Sequence, residues 1–219
     1  MEAEGRLRLR SVQRKTREDA LRRARRLKVD IFSTGRKYRV IYADPPWKFS
    51  SKEATGKKSG GGGKITSYTP LEKVYPTVPT SVLKEWDIGR IAHKDAALFM
   101  WATDAHMKDA LELFQAWGFR YVTVAFVWVK KSLNGKTLSN LAPWTLKNCE
   151  LCLMGTRGRM VQYKQKNNIP QLVEAVRTRH SEKPQEVRRR IEELFGDVER
   201  IELFARQHVP GWDCWGNEV

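Results

Sequence analysis

Cysteine is scarce in this chain: three among 219 residues, Cys149, Cys152 and Cys214. An odd count builds no disulfide framework and fits a reducing compartment. Cys149 and Cys152 have CxxC spacing. Positions three apart in a strand point to opposite faces, so neither a zinc site nor any other metal centre is expected. Long apolar runs are missing too. Nothing approaches the ~20 residues of a membrane-spanning helix, and the N-terminus is charged with no apolar signal core. A soluble, cytoplasmic protein without membrane contact is expected. A phosphate-cradling P-loop is also absent: no Gly-rich turn ending in GK[ST] joins a strand to a helix. No internal repeat is visible.

Acidic residues are the last shortage. Lys+Arg number 41 against 25 Asp+Glu, a formal charge of +16. Such an excess favours a polyanionic partner. Residues 1–39 hold 14 Lys+Arg and 5 Asp+Glu, so +9 of the excess sits there. The run is dense, terminal and mostly arginine, which suits phosphate contact and hence nucleic acid. The length suits one α/β domain with a full core. Residues 1–29 read as a basic arm, with an arginine-rich helix over Glu18 to Lys28, and residues 30–219 as the domain.

The most informative segment is Asp44-Pro45-Pro46-Trp47. It follows Val40-Ile41-Tyr42-Ala43, which reads as a buried strand. Proline cannot donate to a ladder and pushes its predecessor out of the helical region, so the chain turns sharply at the strand's end. Open α/β sheets place their active sites there. The turn presents a carboxylate, fixed carbonyls and a large flat ring. That set suits a planar base bearing an amino group.

Phe49 to Thr69 reads as a loop, with Gly60-Gly61-Gly62-Gly63 flanked by Lys57, Lys58 and Lys64. It suits a mobile basic cover over the site. Beyond it, helices are expected over Thr80 to Ala92, His106 to Trp117 (closed by Gly118) and Lys183 to Phe195 (closed by Gly196). Strands are expected over Ala97 to Ala102, Tyr121 to Val129, Cys149 to Met154, Val173 to Val176 and Arg200 to Phe204. Lys130 to Pro143 reads as a second, polar loop. The alternation predicts a mostly parallel, covered sheet. Of eight tryptophans, Trp101, Trp117 and Trp128 read as core. Trp47, Trp144, Trp212 and Trp215 fall in loops or at strand ends, where a pocket role is commoner. Trp47 and then Trp144 are the candidates for base stacking.

With these blocks in view, the chain resembles the MT-A70 family of S-adenosylmethionine-dependent adenine methyltransferases. The likeness runs from about Asp30 to the C-terminus. It rests on Tyr42 to Trp47, Tyr75-Pro76-Thr77, Leu98 to Thr103, Trp117-Gly118-Phe119, Val127 to Lys130, Trp144 and Glu150 to Gly155. It continues through His180 to Pro184, Glu202 to Arg206 and Gly216-Asn217-Glu218. Two features depart from the family pattern: the four-glycine loop, and Ala142-Pro143 before Trp144 where a glycine is frequent.

The resemblance implies a Rossmann-like α/β methyltransferase fold, with the catalytic motif N-terminal to much of the cofactor site. It implies catalysis by Asp44, Pro45, Pro46 and Trp47. It implies S-adenosylmethionine as cofactor, held by Asp30, Ile31, Asp44, Lys183, Phe204, Arg206, His208, Asn217 and Glu218. Substrate contacts would fall to Trp47, Tyr75, Lys57, Lys58, Lys64 and Trp144. The substrate would be adenine in nucleic acid, flipped out or single-stranded, with DNA favoured over RNA by the bacterial and phage character of the chain. Two rivals stand beside this: an RNA adenosine methyltransferase, and a non-catalytic binding subunit. Intact Asp44 and Trp47 weigh against the second. A homodimer or a partner subunit stays open.

Overall fold

The strand that leads into Asp44-Pro45-Pro46-Trp47 is apolar on both faces. In β1 (Tyr38–Ala43), Ile41 and Ala43 enter one buried cluster while Val40 and Tyr42 enter another. A strand of this kind must be covered on both sides. The computed structural model describes residues 31–48, 77–142, 144–178, 182–216 and 219, and β1 lies inside the sheet it defines.

The other strands are β2 (Ala92–Ala102), β3 (Arg120–Lys131), β4 (Cys149–Arg157), β5 (Leu172–Val176), β6 (Arg200–Leu203) and β7 (Asp213–Trp215). They form one seven-stranded sheet in the order β5-β3-β4-β2-β1-β6-β7. β4 runs antiparallel to β2 and β3, and every other pairing in this sheet is parallel. β1 stands between β2 and β6, where the connections leave in opposite directions. That switch point opens a crevice at its carboxyl end.

The helices among the described residues are α1 (Thr80–Leu83), α2 (Met107–Ala116) and α3 (Gln185–Phe195). Ala110, Leu113 and Phe114 of α2 cover one face of the sheet. Val187, Ile191 and Phe195 of α3 cover the other. The result is a three-layer, Rossmann-like α/β architecture, as the resemblance implies. Gly118 ends α2 with φ +77°, a conformation glycine adopts without steric cost, and Gly196 does the same for α3 at +68°.

Several elements differ from the sequence reading. The helix expected over Thr80 to Ala92 is broken into α1 and a 3₁₀ turn at Ile88–Ile91, and Ala92 already belongs to β2. Burial decides this: Val82, Leu83, Trp86, Ile88 and Ile91 all point into the core, more than one helical stripe can hold. α3 begins at Gln185, with Pro184 as its N-cap, so Lys183 lies before the helix. β3 continues to Lys131, and the expected second loop starts two residues later than its apolar pattern suggested. Trp101, Trp117 and Trp128 are core as expected. Trp212 is core as well, packed edge-on to Tyr42 at 5.9 Å and bonded to Glu192 Oε1 at 2.6 Å. The basic arm and the glycine loop lie outside the described residues, and no helix among the described residues is long and apolar enough to cross a membrane.

Candidate active site

Asp44 is the first residue beyond β1. The prolines after it carry no N–H, and their carbonyls set the turn: Pro45 O accepts from Trp47 N–H at 2.8 Å, and Pro46 O from Val78 N–H at 2.9 Å. Trp47 and Val78 form a single parallel bridge. The turn is thus fixed against the segment leading into α1.

The Asp44 carboxylate meets an ammonium from the far end of the chain. Lys183 Nζ donates to Asp44 Oδ2 at 2.7 Å and lies 3.4 Å from Glu150 Oε2. It also sits 5.5 Å from the Trp101 ring centroid. Lys130, at the end of β3, donates to the other oxygen of Glu150. Charges therefore alternate along a sheltered row: Asp44, Lys183, Glu150, Lys130. The Asp44 and Lys183 side chains are 20% and 9% exposed.

This row distributes protons unequally. Burial raises the Asp44 carboxyl above the usual range; Lys183 and Arg206 pull it back, and Glu150 pushes it further up. Burial would lower the Lys183 ammonium, but Asp44 and Glu150 together raise it. Burial would raise Glu150, but Lys183 and Lys130 hold it low. Lys183 stays charged and Glu150 stays ionised. Of the two carboxylates in the row, Asp44 is the one whose affinity for a proton is enhanced, and a group so perturbed at the end of a strand is a candidate proton acceptor.

Trp47 forms the wall of this turn. Its indole N–H donates to Trp101 O at 3.0 Å, and its ring stacks on His106 at 5.3 Å and 17°. His106 in turn is tied to Thr103 Oγ1 at 2.8 Å and Lys48 O at 3.2 Å. With 4% exposure, the ring has its polar edge and one face taken by protein. Trp144 is the opposite case at 95% exposure.

On the β6 side, Phe204 has φ +63°, rare for a residue with a Cβ and concentrated at functional sites. Its ring stacks on Trp86 at 5.5 Å and meets the edge of Trp215 at 5.9 Å. Ile31 is buried in the same cluster. The Trp215 indole nitrogen is buried without a hydrogen-bond partner among the described residues. Arg206 is half-buried and close enough to act on Asp44, whereas His208 is exposed. Asp30, Lys57, Lys58, Lys64, Tyr75, Asn217 and Glu218 lie outside the described residues.

The MT-A70 family model matches residues 38–218, which spans every element above. The chain belongs to the MT-A70 family. It is a methyltransferase. The Type II methyltransferase M.MunI of Mycoplasma sp. is 37% identical over 189 residues, covering 84% of this chain and 78% of that protein. The human N(6)-adenosine-methyltransferase catalytic subunit METTL3 is 27% identical over 187 residues, covering 84% of this chain but 28% of METTL3. The Drosophila N(6)-adenosine-methyltransferase MT-A70-like protein is 25% identical over 187 residues, with 84% and 27% covered.

In this MT-A70 chain the structure adds members that the motif reading left without a role. Glu150 and Lys130 complete the charged row, and His106 backs Trp47. Glu150 carried a usable signal: a lone carboxylate entering the apolar strand Leu151 to Met154, where an unpaired charge would be costly.

Proposed function

We propose that this chain transfers a methyl group from S-adenosylmethionine to the exocyclic amine of adenine in DNA, with the base flipped out or single-stranded. The observation that carries the reading is the carboxylate of Asp44, held at the end of β1 with a raised proton affinity and an ammonium at 2.7 Å. The likeness to a Type II methyltransferase over most of both chains supports DNA, and the N(6)-adenosine-methyltransferases support adenine as the base.

The residues at the crevice fit the proposed cofactor. Lys183 and Arg206 suit its carboxylate, Asp44 suits a sulfonium, and Ile31, Phe204, Trp86 and Trp215 offer apolar and aromatic walls with one unpartnered indole N–H among the described residues. Bound there, S-adenosylmethionine supplies an electrophilic methyl group with a good leaving group attached. The chain supplies alignment and electrostatics.

An adenine amine is a poor nucleophile because its lone pair is delocalised into the ring. Asp44 and the Pro45 carbonyl accept its two N–H bonds and turn the lone pair out of the plane. The Pro45 oxygen already receives Trp47 N–H, and a carbonyl has a second lone pair for this task. Positive charge that develops on the amine is met by the Asp44 carboxylate, which is also placed to take the proton. Lys183 fixes that carboxylate's orientation. Trp144 presents its ring for stacking on the substrate. A base inside a duplex cannot reach a crevice of this kind, so it must leave the stack.

Nucleoside mass spectrometry after incubation with S-adenosylmethionine and matched DNA or RNA tests the proposal. N6-methyladenine in DNA is expected. Methylation of RNA alone would replace DNA as the polymer, and no methylated base in either pool would overturn the reading.

A further inference from the structure

The segment joining β3 to β4 is polar, as its sequence suggests, but its described residues are not slack. Leu138 N–H donates to Lys130 O at 2.8 Å, and Asn140 and Lys147 exchange backbone bonds at 2.7 and 2.9 Å. One tight turn, carrying Leu133, closes from Gly135 N–H to Ser132 O at 2.9 Å, and the Asn140–Lys147 bridge closes a second, carrying Leu141 and Leu146. Upon this ordered arm Leu133 and Leu141 are 90% exposed and Leu146 is 59% exposed. Isolated apolar side chains on a surface need no explanation. Several held outward on one braced arm do.

Both roots of the arm are fastened to the catalytic turn. Lys130 reaches Asp44 through Glu150 and Lys183. Lys147 pairs with Asp104 at 2.6 Å, in the short turn that ends in His106, the ring stacked on Trp47. β1 and β3 run in the same direction, so the arm rises from the end of the sheet where Asp44 lies. Residues 130–149 contain four lysines and no Asp or Glu.

We infer that this arm is a duplex-opening wedge, with Leu133 and Leu141 entering the stack of double-stranded DNA as the target adenine leaves it. The occupant follows from the chemistry. Three of the arm's four lysines are paired with carboxylates of neighbouring elements, Lys130 with Glu150, Lys131 with Glu174 and Lys147 with Asp104. Exposed leucines on an arm with no acid of its own, in a chain of formal charge +16, suit a partner with an anionic exterior and an apolar, stacked interior. Proteins that kink or open a duplex insert apolar side chains between base steps in this way. A second copy of this chain is a poor occupant, since two chains of formal charge +16 repel one another. The inference rests on DNA adenine methylation, as proposed above. It adds that double-stranded DNA is a substrate and names the residues that open it.

The test compares the full chain with its Leu133→Ser/Leu141→Ser variant on one sequence, as a duplex and as a single strand. Both positions are exposed, so the variant should keep its thermal midpoint. The wedge predicts a loss of kcat/KM on the duplex of about tenfold or more, because unstacking is the step that would go unaided. On the single strand the change should stay within about twofold. A second reading needs no turnover. Permanganate should oxidise the thymine opposite the target adenine in the wild-type complex and spare it in the variant complex. Equal losses on both DNAs, or no loss on the duplex, overturn the wedge alone. Parallel losses with a fall from dimer to monomer in sedimentation make the leucines a subunit interface and overturn it too. A wild-type chain that methylates neither DNA overturns the methylation reading itself, and the wedge with it.

Discussion

Lys183 and Asp44 stand 139 positions apart in the chain and 2.7 Å apart in the fold. One belongs to the segment before α3, the other to the turn after β1. Their contact brings the late part of the sequence onto the Asp44-Pro45-Pro46-Trp47 turn. It also offsets part of the rise that burial imposes on the carboxylate's pKa, and most of what can be tested follows from it.

Asp44→Ala should remove the proton acceptor while leaving the rest of the crevice standing. Turnover is expected to fall by at least about 10²–10⁴-fold, the range for loss of a positioned acid or base. Binding of labelled S-adenosylmethionine should stay within a few-fold of wild type. Near-wild-type turnover would sink the role given to Asp44.

The charged row makes a signed prediction about pH. In the proposed mechanism Asp44 acts ionised, and its pKa in the fold is raised, so activity should decline as pH falls through a value above the ordinary ~3.9. Lys183→Met removes a cation that lowers this pKa, and the acidic limb of kcat should move to higher pH. Glu150→Gln removes an anion that raises it, and the limb should move to lower pH. Opposite displacements in profiles at saturating methyl donor would bear this out. Lower rates with an unmoved limb would make both residues merely structural.

Trp144 buries almost nothing of itself, so its loss should cost no stability. Trp144→Ala is expected to weaken nucleic-acid binding by about 1–3 kcal/mol, the usual worth of one base–aromatic stack. Fluorescence anisotropy with a labelled oligonucleotide would read the affinity, and a thermal melt would check the fold. Unchanged affinity would remove Trp144 from the substrate site.

Behind β1, Arg188 of α3 grips Glu202 of β6 in a buried two-pronged pair, with bonds of 2.7 and 2.8 Å. The guanidinium also lies 5.6 Å from the Tyr42 ring centroid. Arg188→Met strands a buried carboxylate and should cost about 3–5 kcal/mol in urea unfolding. Adding Glu202→Leu should recover most of that loss, because an apolar pair of similar volume needs no partner. A double variant no better than the single would mean that packing, not charge, holds α3 to the sheet.

The sequence by itself determined the elements whose physics is local. A run of apolar residues ended by Asp44 and two prolines has few outcomes besides a buried strand and an abrupt turn. Gly118 and Gly196 mark helix ends because few other residues adopt their positive φ. Even the family was legible, since its blocks follow one another in order. Tertiary structure decided everything that depends on which distant segments meet. The stretch from Thr80 to Ala92 has the composition of one helix and folds as two short turns, because its apolar residues face the core in more directions than one helix offers. Trp47 looks in the sequence like an open plate and is seated against His106, a residue nearly 60 positions away. The same holds for Glu150 and Lys130. Hydrophobic spacing encodes which face of an element is buried, but not which side chain waits across the gap.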